Sequence, residues 1–418
     1  MKLTRRDFLI KGTTLFATLG LGGALFTETG KKLFHVSSSS EFDEPVLVVV
    51  QLNGGNDGIN TLIPYGQGIY YDSRPTLAYQ QKDVHAINNE VGLHPRLAGL
   101  AALYKLGKMA IIQGVGYPEP NHSHFRSMEI WQTAEPAKLS RSGWLARYVQ
   151  SSLKGNTNPL KAIQIGSAGS KAFASDTLSF PVIQSLDTYH VFDPQTAALD
   201  KNRISKAFLD MYGANSMDQL RVVAARGTDA YKSVEAIQAL TTAYTNKVTY
   251  PNTNFAKDLQ VIPKLLAGKS GTRLFQVQAG GFDDHADEKL QHERTLTQVD
   301  EGLTAFYNDL EVQGLQDRVV VMVFSEFGRR VKENGNGGTD HGTAAPMFVL
   351  GGKVKGGLYG AYPSLSNLNN GDLKYEVDFR SVYSTIVESW LHGDVSAVLG
   401  KSYENLKFIK GKRCSMSC

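Results

Sequence analysis

Residues 45–58 read Pro45-Val46-Leu47-Val48-Val49-Val50-Gln51-Leu52-Asn53-Gly54-Gly55-Asn56-Asp57-Gly58. A continuous aliphatic and β-branched run of this length suits a strand buried on both faces, as in the middle of a parallel sheet. It ends in a cluster of turn-forming residues. Similar short apolar runs follow at Met109–Gln113, Arg273–Gln278, Arg318–Phe324 and Met347–Leu350. Between them the period changes. Leu97, Leu100, Leu103 and Leu106 share one face over Pro95–Leu106. Leu290, Leu296, Val299, Leu303, Phe306 and Leu310 keep helical spacing between Glu288 and Val312, which predicts a crossover helix. Strands alternating with helices predict an α/β fold with a mostly parallel central sheet and helices on both faces. Residues 195–268 are more helical and polar, which predicts a cap or insertion on one side.

The 418 residues are 42% hydrophobic and 20% charged, an ordinary globular composition. Formal charge is +4. Residues 1–30 contribute four cations (Lys2, Arg5, Arg6, Lys11) and two anions (Asp7, Glu28), so the remainder carries +2. So nearly neutral a body gives no reason to expect a nucleic-acid partner. The two cysteines, Cys414 and Cys418, both lie in the tail at 411–418, which excludes a cysteine nucleophile or Cys-ligated zinc in the core.

Leu3-Thr4-Arg5-Arg6-Asp7-Phe8-Leu9-Ile10-Lys11, followed by an apolar run to Phe26, resembles a twin-arginine export signal. The expectation is an export segment at 1–30, a polar linker at 31–44 and one α/β domain at 45–410. It places the protein in the periplasm or outside the cell, with the export machinery as a partner, and anchored to the membrane if the signal stays uncleaved. Such export carries folded proteins, often with a metal already loaded.

In open α/β sheets, ligands gather at the carboxyl ends of the strands. Most of the polar clusters fall there. Asn53–Asp57 follows the first strand, Asn121–His124 the second, Asp283-Asp284-His285 the third and Ser325-Glu326-Phe327 the fourth. Gly338-Thr339-Asp340-His341-Gly342 lies shortly before the fifth. Asp283 and His285 have donors that suit a divalent metal, although Asp also favours turns and helix N-caps. Asp340 beside His341 can fix a tautomer, share a metal, or simply cap a glycine loop. His124 and Ser123 precede a helix at Phe125–Trp131, where a nucleophile gains from the dipole; Ser123 is equally a plain N-cap, and His124 equally a metal ligand, a phosphate-holding group or a surface histidine. Arg126, in the first turn, could pair with a phosphate or sulfate. Glu326 reads as a metal ligand, a general base, or an ion-pair partner of Arg329 and Arg330. Asp57 reads as a ligand or a turn residue.

Together these segments resemble the domain-of-unknown-function 1501 family. The resemblance rests on Asn53-Gly54-Gly55-Asn56-Asp57-Gly58, Gly92-Leu93-His94-Pro95, Gly114-Val115-Gly116-Tyr117-Pro118 with Ser123-His124-Phe125, and Ser142-Gly143-Trp144. It continues through Gly281-Phe282-Asp283, Ser325-Glu326-Phe327-Gly328-Arg329, Gly338–Gly342 and Asp378-Phe379-Arg380, from about Pro45 to Leu391. That family resembles the alkaline phosphatase and sulfatase superfamily. The relation implies metal ligands at strand ends and a nucleophile at a helix N-terminus, with His341, Asp283 and His285 as ligands and His124 or Ser123 as nucleophile. Two departures stand out. Asn53 replaces the superfamily's metal-binding Asp after the first strand, and Glu326-Phe327 replaces Asp-His. They argue against a two-metal centre and leave one metal held by Asp283, His285, His341 and Glu326, or none.

The expected function is a metal-assisted hydrolase or transferase acting on a phosphate or sulfate ester. Its substrate would be a small anionic ester or a modified polymer, and its cofactor zinc, manganese or calcium. The alternative is a non-catalytic binding or assembly protein that keeps the fold.

Overall fold

The computed structural model describes residues 44–186, 227–234 and 244–411, with isolated residues elsewhere between 187 and 243. The expected export segment, almost all of the linker and all but the first residue of the tail lie outside the described residues. Among the latter, no helix is long and apolar enough to cross a membrane.

In chain order the strands are β1 (Val46–Leu52), β2 (Leu62–Ile63), β3 (His85–Ala86), β4 (Gly92–Leu93), β5 (Met109–Gly116) and β6 (Ala162–Ile165). They continue as β7 (Val182–Ile183), β8 (Leu274–Ala279), β9 (Val319–Ser325), β10 (Ala345–Leu350), β11 (Gly357–Tyr359) and β12 (Val377–Asp378). The main sheet runs β11-β5-β10-β9-β1-β8-β6-β7, with β12 also on β5, while β2, β4 and β3 form a small separate sheet. β1 lies parallel between β8 and β9, with Leu52 level with Ala279 and Ser325. Its side chains alternate. Val46, Val48, Val50 and Leu52 enter one hydrophobic layer, and Leu47 and Val49 the other. The unbroken apolar run is thus the sequence of a strand with no solvent face.

The helices that matter are α1 (Ala98–Lys105), α2 (His124–Thr133), α3 (Trp144–Ser152), α4 (Asn254–Ala267), α5 (Glu288–Val312) and α6 (Phe379–Thr385). α1, α4 and α5 cover one face, through residues such as Leu103, Leu259, Ile262, Val299 and Phe306. α2, α3 and α6 cover the other, through Trp131, Trp144, Tyr148 and Tyr383. The mostly parallel α/β architecture is as expected. Of the segment expected to form an insertion, α4 instead belongs to the helical layer, with Leu259, Ile262 and Leu265 fully buried. Of residues 195–243 the described ones are 203, 206, 207, 210, 227–234, 236, 237 and 240, among which Val234, Ala236 and Ile237 are buried in the same layer as α4.

One strand breaks the parallel rule. β10 runs antiparallel to β5 and β9. Its start therefore lies at the rim where the parallel strands end, and the Gly338–Gly342 loop arrives among the carboxyl-end loops from the opposite chain direction.

Candidate metal centre

Three loops are locked together before any side chain is placed. Gly54 has a φ of 113°, and a β-carbon there would stand 2.5 Å from the backbone nitrogen of Asp283. Only glycine tolerates that backbone and that approach, so the loop after β1 rests on the loop after β8. The Gly54 N–H donates to Glu326 Oε1, which draws in the loop after β9. The Glu326–Arg330 and Thr339–Thr343 segments then pair with each other. Gly342 N donates to Gly328 O and Gly328 N to Thr343 O, both at 2.8 Å, and Arg329 stands opposite His341.

On this frame four side chains converge. His341 Nε2 lies 3.0 Å from Asp283 Oδ1 and 3.0 Å from His285 Nε2. His285 Nε2 is itself 3.0 Å from Asp283 Oδ1, and His124 Nε2 is 3.4 Å from Asp283 Oδ2. Each has a further polar neighbour, which for Asp283 sits on the same oxygen that faces His341. His341 Nδ1 donates to the carbonyl of His122 at 2.9 Å. His124 Nδ1 lies 3.2 Å from Glu326 Oε2. Asp283 Oδ1 accepts from the buried Arg329 guanidinium at 2.9 Å. His285 Nδ1 lies 3.9 Å from Asp340 Oδ1.

These neighbours decide where the protons are. A carbonyl oxygen only accepts, so His341 carries its proton on Nδ1, and in the neutral ring Nε2 bears a lone pair. Burial pushes the His341 imidazole below its ordinary range, against the opposing effects of Asp283 and the His122 carbonyl. Burial raises Asp283, but hydrogen bonds from His341 and Arg329 outweigh it and hold the carboxyl at about 2. His341 Nε2 and Asp283 Oδ1 face each other at hydrogen-bond distance: a charged ring donates its Nε2–H to the carboxylate, and a neutral ring leaves two acceptors that a cation can join.

A divalent metal fits the donor set. Bonds of about 2.1 Å to nitrogen and oxygen in tetrahedral geometry put neighbouring ligand atoms roughly 3.4 Å apart; His124, Asp283 and His341 bring ligand atoms within 4.8 Å of one another, and His285 joins this group through 3.0 Å contacts to Asp283 and His341. Imidazole with carboxylate suits zinc or manganese better than calcium, which prefers oxygen. The outer hydrogen bond that His341 Nδ1 makes to the His122 carbonyl turns its Nε2 inward, the usual support of a histidine ligand.

The expected residues separate. Asp283, His285 and His341 meet as anticipated. His124 joins them, and with both nitrogens against carboxylates it is poorly placed to attack a substrate. Glu326 sits one layer out, behind His124, with its carboxyl raised by burial against the Gly54 N–H. Asp340 is more distant still, beside His285 and bonded to Asn334 Nδ2 at 3.2 Å. Ser123 takes the N-cap position of α2, but its hydroxyl makes no capping bond. Arg126 is directed elsewhere: its guanidinium holds Glu129 at 3.0 Å and the Pro136 carbonyl at 2.8 Å. The arginine at the centre is Arg329, which the sequence offered only as an ion-pair candidate.

Asp57 lies apart from the exposed centre. It is buried, accepts from the Ile59 N–H, and meets both terminal nitrogens of Arg74, one of them at 3.0 Å. Arg74 is fully buried and also donates to the Val331 and Arg330 carbonyls at 2.9 and 2.8 Å. Asp57, Glu288 and His292 bring donor atoms within 4.8 Å of one another. Arg74 already supplies the cation there. Burial raises Asp57, but Arg74 outweighs it and holds the carboxylate well below its usual range. Glu288 is pushed up by burial and by Asp57, and accepts from Thr339 Oγ1 at 2.6 Å. Glu288 and His292 sit four residues apart on α5, a spacing that puts them on one face; that was the available signal.

The chain matches the DUF1501 model, described as a protein of unknown function, over residues 94–391. It belongs to the DUF1501 family. The matched span starts at His94, so the Asn53–Gly58 loop lies outside it. No curated protein matches this DUF1501 chain. Among solved structures it is similar to the zinc complex of the C-terminal periplasmic domain of EcEptC from Escherichia coli, at 11% identity and TM-score 0.35, covering 74% of this chain and 73% of that one. It is also similar to the lipoteichoic acid synthase LtaP from Listeria monocytogenes, at 10% identity and TM-score 0.35, covering 92% and 81%. A third is a protein in the alkaline phosphatase superfamily from Vibrio parahaemolyticus, at 10% identity and TM-score 0.34, covering 86% and 70%.

Proposed function

We propose that this DUF1501 protein is an exported hydrolase or transferase that acts on a phosphate or sulfate ester at a single divalent metal held by His124, Asp283, His285 and His341. The observation that carries the reading is the convergence of His124, Asp283 and His341, whose ligand atoms all lie within 4.8 Å of one another, with His341 Nε2 3.0 Å from Asp283 Oδ1. Bound there, the metal supplies Lewis acidity toward an ester oxygen.

The chain's own residues do the rest. The His122 carbonyl keeps the His341 proton on Nδ1, Arg329 fixes the Asp283 carboxylate, and Glu326 places a carboxylate 3.2 Å behind His124 Nδ1. The uncapped first turn of α2 presents free N–H groups and the positive end of a helix dipole beside the centre, which favours an anionic group. With His124 used as a ligand, Ser123 is the remaining side-chain nucleophile, and attack by water is the alternative. The Arg5-Arg6 segment supports the exported location and the export machinery as partner.

The test is hydrolysis of a panel of chromogenic phosphate and sulfate monoesters by metal-loaded protein. Activity that disappears with His341→Ala, and is then decided by Ser123→Ala between serine and water, supports the reading; inactivity of fully metallated protein toward the whole panel overturns it.

Specific observations favour a second reading, a non-catalytic binding or assembly protein. The Asn53 amide is engaged by Gln51 at 2.5 Å and Gln278 at 3.1 Å, so it serves a chain of amides behind the rim. Phe327 packs its ring 4.4 Å from that of His341. Neither position adds a donor for a second metal.

A further inference from the structure

Beside the centre lies a cavity of about 420 Å³, within the size range of small-ligand sites. We propose that it binds a sugar ring, so that the ester processed under the functional reading above is one carried by a carbohydrate; the ester part rests on that reading, the sugar site does not.

The near wall is Phe327, which lines the cavity and also packs against the rings of His341 and His124, at 4.4 and 5.1 Å between centroids. Whatever fills the cavity therefore lies next to the inward-facing donors. The far wall is a preformed hairpin. Asn370 and Gly371 both have positive φ, at 53° and 91°, and Asn369 and Asp372 exchange backbone hydrogen bonds at 2.9 and 3.0 Å. An Asn-Gly pair of this kind is a tight hairpin turn. Thr343 Oγ1 donates to the Leu373 carbonyl, and Glu376 N to the Gly114 carbonyl at 2.8 Å, which ties the hairpin to the sheet.

This hairpin presents Asp372, Lys374 and Tyr375 to the cavity. Asp372 is buried, with Oδ2 at 3.0 Å from His122 Nε2 and Oδ1 at 3.4 Å from Arg330 Nε. Its charge is matched from behind, so toward the cavity it offers hydrogen-bond acceptance and not a bare negative charge. Exposed on the lining are Glu119 and Lys374, whose ammonium also donates to Asn367 Oδ1 at 2.6 Å. Tyr375 is 39% exposed and Phe327 is buried, so the lining carries one accessible and one buried aromatic ring. An alkyl group would make no use of these polar atoms. The buried carboxylate on the lining, Asp372, is already matched by Arg330 and His122, so it is no counter-ion for an ammonium group. A ring with an apolar face and hydroxyls at its edge satisfies both the aromatic faces and the matched polar groups.

The experiment is ligand-observed saturation-transfer NMR on the metal-free full-length chain, with methyl glycosides of common hexoses and N-acetylhexosamines, and with ethanol and choline as comparison ligands. The expected result is saturation transfer to at least one glycoside but to neither comparison ligand. The affinity should fall about tenfold in Tyr375→Ala, survive in Tyr375→Phe, and weaken in Lys374→Ala. Binding of choline in place of sugars, no glycoside binding by the wild type, or equal binding by Tyr375→Ala overturns the proposal. Tyr375-dependent sugar binding by a protein that hydrolyses no ester removes the catalytic reading and leaves this one standing.

Discussion

The imidazole of His341 is fixed from behind by the main chain of His122, whose carbonyl oxygen accepts its Nδ1 proton at 2.9 Å. That single bond turns Nε2 inward as a lone-pair donor. It also links the helix-start segment containing His124 to the loop before β10, two segments far apart in sequence. Because the partner is backbone, it survives any substitution of the His122 side chain. His122→Ala is therefore expected to keep metal affinity within a few-fold of wild type in a competition titration, whereas loss of the His341 ring removes a ligand.

Glu326 supports His124 in the same way, but through a side chain. Glu326→Gln keeps the volume and the acceptor for the Gly54 N–H while losing the charge behind His124 Nδ1. Replacing such an outer partner typically weakens metal affinity by about 10–100-fold. That loss, with an unchanged far-UV spectrum and thermal midpoint in the apo protein, is the expected outcome. Unchanged affinity would detach Glu326 from the centre.

Asp57 and Arg74 make the opposite prediction, one of stability without chemistry. Asp57→Ala leaves the Arg74 guanidinium charged and buried, and breaking a buried pair in this way costs about 3–5 kcal/mol. Denaturant unfolding should show it, with metal affinity per folded molecule little changed. The folded carboxyl of Asp57 sits below its unfolded value of 3.8. Its contribution is therefore complete above about pH 4 and is lost as pH falls toward the folded value.

Asp258, on α4, has the reverse sign. Burial lifts its carboxyl from 3.8 to about 6, so between those values the folded protein holds a proton that the unfolded chain has released. Stability then declines as pH rises from about 4 to about 6. Asp258→Asn should flatten that part of the pH profile of the unfolding midpoint; an unchanged slope would assign it to other groups.

The layers of the fold were legible in residues whose burial follows a simple period. Val46–Leu52 announced a two-faced strand, and Leu296, Val299, Leu303 and Phe306 announced the helix that crosses behind it. Two-residue strands such as Leu62–Ile63 and Val182–Ile183 carry no period, because their pairing is imposed by the surrounding chain. Asp283, His285 and His341 could be anticipated from composition and position. The placement of His124 stayed open between ligand, phosphate-holding group and surface histidine, since it depends on both ring nitrogens meeting carboxylates 159 and 202 positions further along the sequence. Nor does anything local tie Asp57 to Arg74, or turn Arg126 away and Arg329 in. Those outcomes belong to the crossing of loops, which Gly54 and the Arg329–His341 pairing enforce.

The central claim is most directly tested by metal analysis of the purified full-length protein, followed by zinc titration of the stripped chain beside His341→Ala and His124→Ala. The account predicts about one metal per chain in the wild type and a loss of at least tenfold in affinity in either variant with the fold retained. A folded wild-type protein that takes up no divalent metal, or variants that bind it as tightly, would contradict it.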